Sequence, residues 1–370
     1  MKDDQEQLAQ ALRTLAHRQP ATPAPVPDLL RRGRRARRTR AMVSAVAGTA
    51  LASAAVVVVV GTGGVGPAGT PPSPAASVPL AGDGSPPTRS PAPRSLDARS
   101  VLLAAAETAA REPATSGRYW YTRQRTSQPV RSLPSTGKIT GKPKRREVPF
   151  SATVASTQES WYAGEKGAPS RTRTGQDPEV TFASSDDEAK WRRFGSPALA
   201  PGKPATNDYD MRLFFQIGNH HFTVGQLLKL PTGKDGLESR LRRLFDEESP
   251  SDWWPAKPDF TGYVWAAASD LLAGPISPGT RSALYRLLAE QPAIRSLGEV
   301  TDLRGRTGMA LALATAGNGD AAAESRLIVD DDTAELLAHE SRSPARSAPL
   351  LQVTYEDMGW VDGLDERPRN

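Results

Sequence analysis

Nineteen consecutive uncharged residues, Met42 to Val60, separate an arginine-rich block from a proline-rich stretch, and beyond residue 95 the apolar positions recur with helix and strand periods. At ~1.5 Å rise each, about twenty apolar residues cross the ~30 Å hydrocarbon core of a bilayer, so the run predicts a transmembrane helix within residues 41–65. Ahead of it, Leu8, Leu12 and Leu15 share one helix face, with Asp3, Asp4 and Glu6 early and Arg13, His17 and Arg18 late, as the helix dipole prefers. Residues 3–18 thus read as a short amphipathic helix, ended by Pro20, Pro23, Pro25 and Pro27. Residues 66–94 are rich in Gly, Pro and Ser with almost no large apolar side chains, which predicts a semi-extended linker.

Regular periodicity begins near Ser95. Leu96–Arg111 reads as an alanine-rich helix closed by Pro113. Arg118–Ser127 alternates as a strand does, with Tyr119 and Tyr121 on one face and Trp120 and Thr122 on the other. Ser132–Pro149, basic and containing Gly and Pro, reads as a mobile hairpin loop; Ala152–Ala163 and Ser170–Thr174 read as further strands. Asp208–Gly218 and Phe222–Leu228 are apolar without one clear period. Three helices follow, at Lys234–Glu247, Phe260–Leu272 and Ser277–Gln291, the last opened by a Ser-Pro pair. Hairpins are then predicted from Ala293–Leu303 with Thr307–Ala314 and from Glu324–Val329 with Ala334–Ser341, before a last strand at Leu350–Trp360. Strands, helices and strands again, with hairpin-length connections, predict an α+β domain over residues 95–361: a curved antiparallel sheet with helices packed on one face. Residues 362–370 read as a disordered C-terminus.

Charge fixes the orientation of this plan. Arg31, Arg32, Arg34, Arg35, Arg37, Arg38 and Arg40 directly precede the apolar run, and basic flanks stay cytoplasmic. The N-terminus is therefore expected inside, with the arginines at anionic lipid headgroups, and the large C-terminal part outside the cytoplasm. Residues 1–40 hold ten Lys and Arg against four acids, the whole +6 of the chain, so the remainder nets zero. The basic pI is a property of the anchor flank, and no nucleic-acid partner is expected. About forty residues ahead of the apolar run are too many for an ordinary cleaved signal peptide. Cysteine is absent, which excludes disulfides, thiolate zinc sites and a cysteine nucleophile.

Five segments carry a resemblance. They are Gly-Arg-Tyr-Trp-Tyr-Thr-Arg from Gly117, Glu-Ser-Trp-Tyr from Glu159, Thr-Val-Gly-Gln-Leu-Leu-Lys-Leu-Pro from Thr223, Ala-Leu-Tyr-Arg-Leu-Leu-Ala from Ala283 before Pro292-Ala-Ile-Arg, and the eleven residues from Gly298 to Gly308. On these the chain resembles a family of actinobacterial single-pass membrane proteins of unassigned function, often encoded near extracytoplasmic-function sigma factors. The order of elements is also similar to the half-barrel of periplasmic lipoprotein carriers and anti-sigma regulators. The resemblance implies architecture and topology; its motifs are packing and turn motifs, and folds do not fix functions.

Little in the sequence points to catalysis. His220 and His221 are adjacent and would point to opposite strand faces, His17 lies in the tail, and His339 falls on an expected surface strand. The acidic runs Asp186–Glu188, Asp246–Glu248 and Asp330–Asp332 lack calcium-loop spacing and suit caps and turns. No cofactor, metal site or catalytic residue is predicted. One candidate binding feature remains: Trp120, Trp161, Trp253, Trp254 and Trp265 could line an apolar groove between sheet and helices for an envelope lipid, glycan or peptide. The expectation is a membrane-anchored, non-enzymatic protein whose outer domain binds a ligand or partner and whose residues 3–18 contact a cytoplasmic regulator. A stalk-mounted cell-wall hydrolase and a lipid carrier are the alternatives.

Overall fold

A computed structural model describes residues 97–134, 145–200, 202–249, 258–315, 323–343 and 348–368. The predicted tail, arginine block, membrane helix and linker lie outside these residues. Among the described residues no helix is long and apolar enough to cross a membrane.

In chain order the elements are α1 (Ala98–Arg111), β1 (Tyr119–Pro129), β2 (Ser132–Pro134), β3 (Arg145–Glu147), β4 (Ala152–Ala163), β5 (Ser170–Phe182), α2 (Ser185–Arg193), β6 (Ala205–Tyr209), β7 (Phe215–Ile217), β8 (His220–Phe222), α3 (Val224–Leu227), α4 (Lys234–Glu247), α5 (Phe260–Leu272), α6 (Pro278–Ala289), β9 (Arg295–Thr301), β10 (Thr307–Thr315), β11 (Ala323–Val329), β12 (Leu336–Arg342) and β13 (Leu351–Val361). Nine strands form one antiparallel sheet in the order β6-β5-β4-β1-β13-β12-β11-β10-β9, open at both edges. The last strand is therefore central, and its pairing with β1 joins the two halves.

The helices form where caps and apolar stripes coincide. Asp97, Thr223, Asp259 and Ser277 each accept a backbone N–H from the first turn of α1, α3, α5 and α6, and Pro278 opens α6. Leu237, Leu241 and Leu244 of α4, Val264 and Leu271 of α5, and Leu284 and Leu288 of α6 are all buried. They meet one sheet face through Trp120, Tyr162, Leu311, Leu327, Leu351 and Val353 in a single apolar cluster. Among the described residues, the other sheet face carries no helix of the main cluster, only two small apolar groups around Trp161 and around Ala310.

Several expectations need correction. The basic stretch after β1 contains a two-stranded ribbon, Ser132–Pro134 against Arg145–Glu147, where a loop was expected. β5 runs on to Phe182, because a bulge with positive φ at Gly175 and Asp177 carries the strand past Pro178. A helix not predicted from the sequence, α2, forms over Ser185–Arg193, with Asp186–Glu188 in its first turn, the cap setting expected for that acidic run. Most consequentially, the C-terminus is not disordered through its described part: residues 362–368 turn back onto the helix-free sheet face.

Candidate functional site

Strand alternation decides which side chains meet. On β1, Trp120 faces the helices while Tyr119, Tyr121, Arg123 and Arg125 face the open side; on β4, Trp161, Glu159 and Thr157 stand opposite them. The predicted tryptophans are therefore split between the two faces. Trp120 lies in the sheet–helix core, its Nε1 donating to the Ala273 carbonyl at 3.0 Å and its ring edge-on to Trp360. Trp265, also in that core, donates to Ser325 Oγ at 2.8 Å. Trp161 is buried on the opposite face against Tyr121 and donates to the Glu366 carbonyl at 2.8 Å. Trp253 and Trp254 lie outside the described residues, as do the seven arginines from Arg31 to Arg40. The three described indoles line no common groove.

The open face instead holds a polar groove of about 490 Å³. Its floor is Ser127, Ala155, Thr157 and Thr354 from the central strands. One wall is the β5 bulge with Asp177 and Glu179; the other is the β9–β10 turn with Leu303 and Arg304. Asp302 builds that turn: its Oδ1 accepts the backbone N–H of Arg304 and Arg306, and its Oδ2 accepts from the Arg306 guanidinium at 2.6 and 2.8 Å. Arg306 also donates to the Tyr355 carbonyl, which fixes the turn over β13.

Charges in the groove are matched. Arg123 donates to Glu356 at 2.6 Å and to Asp177 at 2.9 Å; Arg125 donates to Glu179 at 2.6 Å and to the Asp177 carbonyl; Arg304 reaches Glu356 at 3.2 Å. Asp177 and Glu179 are mostly exposed, whereas the floor is not. The Thr354 hydroxyl is buried beneath that floor and has no hydrogen-bond partner among the described residues.

Beside the groove sits Glu159, its side chain 1% exposed. Its Oε1 accepts from the Tyr121 hydroxyl at 2.7 Å and from Arg367 at 2.8 Å, and its Oε2 accepts from Gln176 at 2.9 Å. Burial pushes this carboxyl up, yet the hydrogen bonds from Tyr121 and Gln176 and the charge of Arg367 outweigh it, and the net shift is downward. Asp357, paired across Arg123 from Glu159, is shifted the other way, upward, chiefly by burial.

The histidines and acidic runs take structural places. His220 contacts the Leu244 carbonyl and His221 the ring of Phe214. His339 is not on the open surface as expected but on the helix-covered face beside Tyr355, where burial pushes its imidazole down to about 4. Glu248 caps the end of α4 and accepts from the Asn219 backbone at 2.7 Å. The carboxylates of Asp330, Asp331 and Asp332 come within 4.8 Å of one another, with Asp330 accepting the N–H groups of Asp332 and Thr333 in a turn.

No family model matches the chain, and no curated protein does. The actinobacterial resemblance thus rests on its motifs alone. Among solved structures the chain is similar to MucB in complex with MucA(peri), at 14% identity and a TM-score of 0.26, over 72% of this chain and 58% of that one. A MucA/MucB complex of Pseudomonas aeruginosa matches at 14% identity and a TM-score of 0.23, over 71% and 56%. The chain spans little more than half the length of these neighbours, and so loose a superposition carries no functional argument.

Proposed function

We propose that this protein is a membrane-tethered binding protein and not an enzyme, whose outer domain holds a charged, extended polypeptide in the open-face groove. Residues 3–18 on the cytoplasmic side would contact a regulator, in this reading an extracytoplasmic-function sigma factor. The groove carries the proposal: three guanidiniums and three carboxylates frame a floor of Ser127, Thr157 and Thr354, a surface that reads charge order along a chain. Apolar cargo is disfavoured, because the sheet–helix face that would hold it is filled by packed side chains. The test is fluorescence anisotropy on the full chain in nanodiscs with labelled peptides of alternating Lys and Glu. Binding is expected to weaken as salt rises and to fall about tenfold or more in an Arg125→Ala, Arg304→Ala double variant. A neutral Gly-Ser peptide that binds equally well would sink the groove reading. Deleting residues 1–30 should change transcription of a defined set of genes; an unaltered transcriptome would remove the regulatory half.

One observation favours a second reading. Glu159 and Asp357 flank Arg123 with their carboxyls shifted in opposite directions, the combination an acid–base pair in a wall hydrolase needs. Both oxygens of Glu159 are already engaged, which is why binding is preferred. Release of soluble fragments from purified cell wall, lost in Asp357→Asn, would favour the hydrolase.

A further inference from the structure

We infer that the patch around Glu159 is a binding site for an arginine-bearing segment of a partner polypeptide, and that residues 362–368 fill it in cis as a removable strap. The strap docks through separate side-chain addresses. Leu364 packs on the cluster of Tyr119, Tyr121, Trp161 and Val361. Asp365 pairs with Arg171 at 2.6 Å and also with Arg173. Arg367 places its guanidinium on Oε1 of buried Glu159, and Trp161 holds the strap backbone at Glu366. The segment keeps its own turn, since Glu366 accepts the N–H groups of Asp362 and Gly363.

The two sides of this contact are unequal. The acceptor is built in: Glu159 is buried, with Tyr121 and Gln176 orienting its oxygens from the sheet. The strap is not: the side chains of Asp365 and Arg367 are 46% and 54% exposed, and exposed ion pairs contribute little. Arg123 and Arg173 stand 3.5 and 3.9 Å from Glu159, while Arg367 at 2.8 Å is the guanidinium that donates to it, and a buried carboxylate hydrogen-bonded by so loosely held a donor suits exchange against an arginine in trans. Tethering sets the threshold, because a short cis segment acts at an effective concentration around millimolar. Gly359 gives a way to lift the strap without touching a charge, since a Cβ there would lie 2.9 Å from Pro368.

The experiment uses the full chain and a labelled peptide with the sequence of residues 361–370. The intact protein should bind it negligibly at about ten micromolar, because the cis copy competes. Gly359→Val should bind at least about tenfold more tightly, and adding Glu159→Gln should abolish that gain. Near-UV circular dichroism checks that each variant is folded, and a chain ending at Val361 replaces Gly359→Val if it is not. A strap-displaced protein that binds no better than the intact one overturns the inference, as does binding indifferent to Glu159→Gln. Arg125 and Arg304 play no part here, so this result is independent of the groove test.

Discussion

At the residue scale, one half-buried and one buried group make stability depend on pH in different windows. His339 titrates near 4 in the fold and near 6.5 when exposed, so between those values the unfolded chain holds more protons. Stability should therefore fall as pH drops from about 6.5 to about 4, then stop falling on this account. Urea denaturation at stepped pH values should show that decline, and His339→Gln should flatten it; an unchanged slope would remove the role given to burial. Glu159 acts below this window. Its folded carboxyl is shifted below the ordinary 4.5, so its contribution is present above 4.5 and lost as pH falls through the lower folded value. Glu159→Gln should cost about 1–3 kcal/mol at neutral pH, with the difference from wild type shrinking in acid. Neither group was legible beforehand. His339 sits in a strand whose alternation names two faces without saying which one the helices cover.

At the element scale, pattern carried most of the information. Lys234–Glu247 and Phe260–Leu272 fold over the predicted spans because their apolar stripes and the cap at Asp259 agree. α2 was readable in principle: Ser184 caps it, acids fill its first turn, and Lys190, Arg192 and Arg193 close it. The acids suit a cap, but without an apolar stripe nothing marks the residues after them as a helix. The extension of β5 was less legible, since a proline argues against a strand and only the bulge reconciles them. The β9–β10 turn is the element on which the groove depends. Asp302, with its carboxylate buried, holds two backbone N–H groups and Arg306 together. Asp302→Ala should destabilise the domain by about 2 kcal/mol, an estimate reduced because Arg306 is partly exposed. It should also release Arg304 from the groove, so peptide anisotropy should fall with the urea midpoint. A variant that loses stability and keeps full binding would show that the turn is no wall.

At the scale of the whole molecule, the candidate site was illegible because its parts are far apart in the chain. Glu159 gathers Tyr121 from 38 residues away and Arg367 from 208, contacts set by β1 and β13 lying side by side in the middle of the sheet. No local motif encodes that. The one available hint was alternation: Tyr121 with Arg123 and Arg125 on one face of β1 implies that the face is not covered by an apolar layer. The topology proposed for the full chain is the opposite case, an expectation drawn from the local pattern of Arg31–Arg40 and Met42–Val60. Because the chain has no cysteine, single cysteines report on it without background. Ser85→Cys should react with a membrane-impermeant maleimide on intact cells, and Thr22→Cys only after lysis, as basic flanks on the cytoplasmic side require. Labelled Ser85→Cys protein should remain with the membrane fraction, since the uncharged run is long enough to span and too far from the N-terminus for ordinary signal cleavage. Recovery of that protein in the medium would refute the anchor, and labelling of Thr22→Cys on intact cells would refute its orientation.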